Sequence, residues 1–264
     1  MSFKSIQSIL VSAVSLGLLA TGCKREDVVS EMNGLSTAGK ANVKIIHASA
    51  YNTNYSVHLK VNGVKVSNNI TNATPFPGGG LNTGGGSSPW YLALTPGSTT
   101  ISLAVPKVGS ENDSISLYTG STYLDPDRYY SVYLTDTSVK TQLVTIAENI
   151  SKPANNTTRF KFINLMPNET FMDLYWGITK VASNVAYTTV SPDFTLNKAD
   201  TGRWYIRPAG AAPTSAAIAI YPAITPTFQA PMAVPYNRVM TVFSRGYKAG
   251  TGNRAPNVSL LYNN

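Results

Sequence analysis

Apolar and polar positions alternate through most of the chain after residue 40. Val43, Ile45 and His47 share one face of a segment whose other face carries Lys44 and Ile46. That is the period-two pattern of a strand with one buried face and one partly covered. Val57, Leu59 and Val61 then alternate with His58, Lys60 and Asn62. Asn62 and Gly63 both tolerate positive φ, so a hairpin turn is expected there. Further strands are predicted over residues 90–94, 101–105, 114–118, 130–134 and 142–147. Short strands at close spacing, with no helical period, predict a sandwich or barrel.

The pattern is used twice. Residues 41–49 and 57–63 recur as residues 158–167 and 172–177. Phe160 and Phe162 take the places of Val43 and Ile45, Asn164 that of His47, and Gly177 that of Gly63. Residues 204–207 with Ala209-Gly210 are matched to residues 91–94 with Pro96-Gly97, and Ile218 and Ile220 to Leu103 and Val105. Met240 and Val242 answer the strand at Tyr130, and residues 258–261 answer the closing strand. The offset is about 115 residues, one sandwich-sized module. The expected architecture is all-β: two tandem Ig-like antiparallel β-sandwich domains, residues 41–151 and 152–264, joined by the polar segment 151–156. Five prolines between 213 and 235 confine much of residues 211–236 to turns and edge strands.

Composition fits this reading. Only 13% of the 264 residues are charged, and Tyr and Thr, which suit half-buried pleated surfaces, are plentiful. The formal charge is +8, but Lys and Arg are scattered, with no basic run beyond Lys24-Arg25. Nucleic-acid binding needs a clustered basic patch, so no nucleic-acid partner is expected. Weak attraction to an anionic cell surface is the better use of this charge.

Residues 74–89 hold two glycine triplets. Ordering them costs much backbone entropy, so a mobile loop is expected. A phosphate loop would need Gly-Lys-Ser/Thr before a helix. No lysine is present, and residues 90–94 read as a strand. The pattern leaves open whether residues 78–86 have a function.

Residues 1–22 look like a signal peptide, with Lys4 ahead of an apolar run over 9–20 too short to span a bilayer as a helix. The run ends in Leu19-Ala-Thr-Gly-Cys23, which resembles the bacterial lipobox, with Ala20 where that motif usually has leucine. Cys23 is the only cysteine and stands where acylation requires it. The expectation is a lipidated Cys23, a flexible tether over 23–40, and membrane attachment through N-terminal acyl chains. Residues 24–27, Lys-Arg-Glu-Asp, resemble the charged export signal of Bacteroidetes surface lipoproteins; a solvated tether reads equally well.

Residues 43–49, the Val61-Asn-Gly turn, residues 94–101 and residues 129–132 together resemble the domain-of-unknown-function family 4397. Its pattern runs roughly histidine-alanine-serine-proline-aspartate, then valine-aspartate-valine-tyrosine, then a glycine turn. The first repeat keeps His47, Ala48 and Ser49, with Ala50, Tyr51 and His58 where the pattern has proline and the two aspartates. The second repeat lacks the histidine but keeps Pro167, Asn168, Asp173 and Tyr175. The resemblance covers nearly all of residues 41–262. It implies two tandem β-sandwich copies in a Bacteroidetes-type lipoprotein, and no known reaction.

No catalytic residues are identified. His47 and Ser49 fall on one face of a strand, but a triad also needs an orienting carboxylate and an oxyanion hole. The second repeat has Asn164 and Met166 at those places, which fits a structural His47 hydrogen-bonded at a strand end. With one cysteine and two histidines no metal site is expected, and Asp125-Pro-Asp127 reads as a turn. No cofactor is implied. Aromatic residues are the remaining candidates. Trp90 and Trp204 are expected in the core, whereas Tyr51 and Tyr55, in the crossing between the first two strands, are expected to be exposed ligand contacts. Asp113-Ser-Ile115 resembles the O-glycosylation acceptor of exported Bacteroidetes proteins, which makes Ser114 a candidate.

The chain is therefore expected to be a non-catalytic outer-membrane lipoprotein, surface-exposed or periplasm-facing, that binds or scaffolds a surface glycan or protein. The alternatives are a glycan-capture protein of a polysaccharide-uptake system, which needs an exposed aromatic platform, and a fibre or adhesin subunit, which needs an open edge strand.

Overall fold

The computed structural model describes residues 37–109, 112–227 and 229–264. Cys23, the signal segment, residues 24–27 and most of the tether lie outside the described residues. Strands dominate, and among the described residues there is no α-helix. The first half holds β1 (Ala41–His47), β2 (His58–Val61), β3 (Val64–Lys65), β4 (Pro75–Phe76), β5 (Gly80–Leu81), β6 (Leu92–Leu94), β7 (Gly97–Pro106), β8 (Asp113–Leu124), β9 (Tyr129–Thr135) and β10 (Gln142–Glu148). The second holds β11 (Thr157–Ile163), β12 (Phe171–Trp176), β13 (Thr179–Ala186), β14 (Phe194–Asn197), β15 (Thr201–Gly202), β16 (Trp204–Pro208), β17 (Ala219–Tyr221), β18 (Met232–Ala233), β19 (Val239–Arg245) and β20 (Asn257–Tyr262). Single 3-10 turns, Ser138–Lys140 and Gly252–Arg254, join β9 to β10 and β19 to β20.

Each half is a sandwich of two sheets. In the first, β10-β9-β1-β4, with β6 also on β1, faces β3-β2-β7-β8. In the second, β14-β11-β19-β20-β5 faces β13-β12-β16-β17. Each pair of sheets encloses its own core. Val43, Ile45, Leu59, Ile101, Leu103 and Val132 fill the first, and Phe160, Phe162, Leu174, Trp204, Ile206 and Val242 fill the second. The fold is all-β, as the alternation predicts. Pairing is antiparallel except where β9 runs parallel to β1 and β19 parallel to β11. Asn62 and Gly63, both at positive φ, make the expected two-residue hairpin between Val61 and Val64.

The strand matching between the halves needs correction. β16 pairs with β12 as β7 pairs with β2, so Trp204 and Ile206 stand where Ile101 and Leu103 stand. Residues 204–207 therefore answer β7 and not residues 91–94, and β17 answers β8. The counterpart of β6, which pairs with β1, is β14, which pairs with β11. The longer glycine-rich connection in the first half shifts the spacing, so no single offset aligns every strand.

The two sandwiches meet through their inner sheets, and residues 38–264 form one compact unit. Ile46, Ala48 and Tyr133 from the first half pack against Ile163, Leu165, Phe243 and Leu261 from the second. The face of β1 expected to be partly covered is thus fully buried, and all seven of its residues are inside. Polar side chains complete this layer. Lys161 Nζ lies 2.6 Å from Glu148 Oε2, Thr241 donates to the other Glu148 oxygen at 3.4 Å, and Asn263 donates to Thr241 at 2.9 Å.

The glycine-rich segment is not a free loop. β5 pairs with β20, so a strand from the first half extends a sheet of the second. Gly79 and Gly80 accept this because a Cβ on either would collide with backbone, that of Gly86 and Leu260 respectively. Here glycine serves close backbone approach instead of mobility.

Candidate functional site

β1, β9, β11 and β19 all run the same way. Their first residues are tied together in pairs, with the Asn42 amide on the Arg128 carbonyl and the Arg159 amide on the Arg238 carbonyl. At and just beyond their last residues, the Thr135 hydroxyl donates to the Leu165 carbonyl at 2.9 Å and the Tyr247 hydroxyl to Asp136 at 2.7 Å. The chain enters the folded unit at residues 38–41, the starting end of these strands. The loops that follow their far ends gather at the opposite end.

There the crossing after β1 and the turns after β9 and β19 enclose a cleft of about 660 Å³. Tyr51, Asn52, Tyr55, Val139 and Arg254 line it, together with Ser116 and Leu117 from β8. Tyr51 and Tyr55, expected to be exposed, are half-buried, and the fold brings them together. Their rings meet edge to face, 5.9 Å apart at 72°, and form a corner. The Tyr51 hydroxyl shares a 2.9 Å hydrogen bond with Thr141. Burial raises the Tyr51 and Tyr247 phenols above their usual value, so both keep their protons. Two adjoining clefts, of about 380 and 350 Å³, continue past Asn168 and Tyr247 toward the second sandwich.

Arg254 borders all three clefts, and the sequence reading missed it. Its guanidinium lies 3.8 Å over the Tyr247 ring and donates to Asn52 Oδ1 at 3.2 Å. The available signal was positional: loops of stacked sandwiches gather at their ends. The turn carrying Arg254 answers the turn carrying Lys140 in the first half.

The remaining candidates lie elsewhere. His47 is buried at the end of β1, 6.2 Å from the Tyr51 ring, and does not line the cleft. Its backbone is bonded to Thr74 and Ala73, but its buried Nδ1 has no hydrogen-bond partner. Burial lowers its pKa to about 4, so it is neutral near pH 7. At the matching place, Asn164 donates to the carbonyls of Glu169 and Val185. His58 is buried and joins Asp113 at 2.8 Å, with Lys60 at 2.7 Å on the other carboxylate oxygen. Lys60 first, and His58 with it, hold the Asp113 carboxyl below its usual range. Ser114 is exposed and lies at a register shift in β8, where Val105 pairs with Ile115 and Pro106 with Asp113.

Trp204 is in the core, 4.7 Å from Trp176. Trp90 is not: it is 66% exposed, because it follows the strap that carries β5 away from the first core. Asp127 sits in a turn at positive φ and accepts from the Gly39 amide at 2.6 Å. Among the described residues no three His, Cys, Asp or Glu side chains group as a metal site. No helix among them is long and apolar enough to cross a membrane.

The fold is therefore that of a β-sandwich protein with loops gathered into a cleft at one end. The family model of a domain of unknown function, DUF4397, matches residues 41–175, and the chain belongs to that family. The match covers the first sandwich and runs into β12. Comparison with curated proteins finds no match.

Proposed function

We propose that this chain is a non-catalytic binding module, held at the outer membrane by acyl chains on Cys23, with the cleft at Tyr51, Tyr55 and Arg254 as its ligand site. The second sandwich is read as a second, diverged copy of the family domain. It repeats the parallel pairing of first and ninth strands in β11 and β19, and it keeps Pro167, Asn168, Asp173 and Tyr175. The observation that carries the proposal is directional. The chain enters the folded unit at one end, and the cleft opens at the other. Within the folded unit, the cleft therefore lies at the end opposite residues 38–41.

The test has two arms. Cys23→Ala should abolish incorporation of labelled fatty acid into the protein; labelling of that variant equal to wild type would overturn the anchor. A glycan and peptide array probed with the full chain should give binding that the Tyr51→Ala, Tyr55→Ala double variant loses. Binding unchanged in that variant would overturn the site.

The fibre-subunit reading has one observation in its favour. β8 is a 12-residue edge strand, paired only with β7 among the described residues. Two register shifts break its line, and Thr122 meets Thr145 of β10 at 2.8 Å. Bulges and a covered flank are how edges avoid strand addition, so the cleft is preferred.

A further inference from the structure

Arg254 is held in place without a counter-charge. The stack on Tyr247 and the bond to Asn52 fix its guanidinium, and the Arg254 carbonyl accepts from the Tyr247 amide at 2.9 Å to close the loop. Among the described residues no carboxylate comes within ion-pair distance of it, and its Nε has no hydrogen-bond partner. The nearby acids are otherwise engaged. Asp136 accepts from the Thr137 amide and the Tyr247 hydroxyl, both at 2.7 Å. Glu169 pairs with Lys248 at 2.7 Å. A guanidinium ordered ahead of its partner loses less entropy when an anion binds.

The rest of the cleft suits a polyol. Tyr51 and Tyr55 offer two ring surfaces at a steep angle, and the rim carries amides and hydroxyls. A peptide anchored by an apolar side chain would need a dry pocket for it. The apolar side chains here are Leu117 and Val139, and Val139 stands 96% exposed at the rim.

We propose that this site binds acidic saccharides, with a uronate-type carboxylate paired to Arg254 and the sugar ring seated in the Tyr51–Tyr55 corner. The proposal rests on the binding-module reading above and names its ligand class. Calorimetry on the full chain in detergent tests it with three probes: an oligouronide, the same oligosaccharide with its carboxyls reduced to alcohols, and a glutamate-rich peptide. The oligouronide should bind. Carboxyl reduction and Arg254→Gln should each weaken binding by about tenfold or more, as loss of a charge-assisted pair does. Arg254→Lys, which keeps the charge, should lose less. Melting temperatures check that each variant is folded. No binding of the oligouronide, equal binding of the reduced form, or tighter binding of the peptide overturns the saccharide proposal. If the reduced form or the peptide binds and Tyr51→Ala abolishes it, the cleft stands and only the ligand class falls. If Tyr51→Ala changes nothing, both fall.

Discussion

The side-chain nitrogen of Lys44, on the first strand of one sandwich, donates to the backbone carbonyl of Tyr262, on the last strand of the other. It also lies 4.3 Å over the Tyr91 ring, and the Gly78 backbone closes over its stem. Burial lowers its pKa to about 7 from 10.5, against the pull of the Glu148 carboxylate, which Lys161 also faces. Between those two values the unfolded chain holds the extra proton, so stability rises with pH. Below about 7 both states are protonated and the cost of burying the charge is felt in full. Burial raises the Tyr91 and Tyr133 phenols, which reverses the trend once unfolded tyrosines ionise near pH 10. Urea midpoints should therefore climb from pH 7 to about 9, and Lys44→Met should flatten the climb. An unchanged slope in that variant would assign the effect to other groups.

His47 gives the acid side of the same curve. Its folded pKa of about 4 lies below the ordinary 6.5, so the unfolded chain takes up the proton first and stability falls as pH drops from 6.5 toward 4. His47→Asn copies the arrangement at Asn164. It should remove that part of the acid slope and change stability at pH 7 by about 1 kcal/mol or less. Denaturant titrations at pH 7 and pH 4.5 measure both. A steeper acid slope in the variant would contradict the assignment.

Gly80 should not accept a side chain. Its Cβ position falls on the Leu260 carbonyl across the β5–β20 pairing. Gly80→Val should lower stability by about 1–3 kcal/mol, the range for a forced overpacking, and raise hydrogen exchange at Leu261 and Tyr262. Wild-type stability in that variant would show that the strap adds nothing to the contact between the sandwiches.

Ser114 is open to modification, since β8 leaves it exposed while Lys60 and His58 hold the neighbouring Asp113. If it carries a glycan, native protein and Ser114→Ala will differ in intact mass by far more than one oxygen. A difference of only that oxygen removes the idea.

Much of the fold was legible because burial on one face leaves a period of two. Val43, Ile45, Phe160 and Phe162 all stand in the sandwich cores that their alternation predicts. The stacking of the two sandwiches was not legible. The residues responsible, Ile46, Lys44, Lys161 and Thr241, mix apolar with polar and resemble a solvated face. The place of Trp204 is not legible either, because residues 91–94 and β7 lie close together in sequence, and only hydrogen-bond register shows that β16 answers β7. The glycine triplets carry the same signal whether the backbone is free or pressed against another strand. In the cleft, Tyr51 and Tyr55 stood out as aromatics in a polar crossing. Arg254 did not, because a long-range contact with Asn52 brings it there.

We propose that this molecule binds at the loop end opposite the chain's entry. Hydrogen–deuterium exchange of the full chain, with and without its strongest array binder, tests this most directly. Protection is predicted in residues 51–55, 137–140 and 247–254, with none at residues 235–238 beside the entry end. Protection confined to residues 235–238, or to the edge of β8, would contradict it.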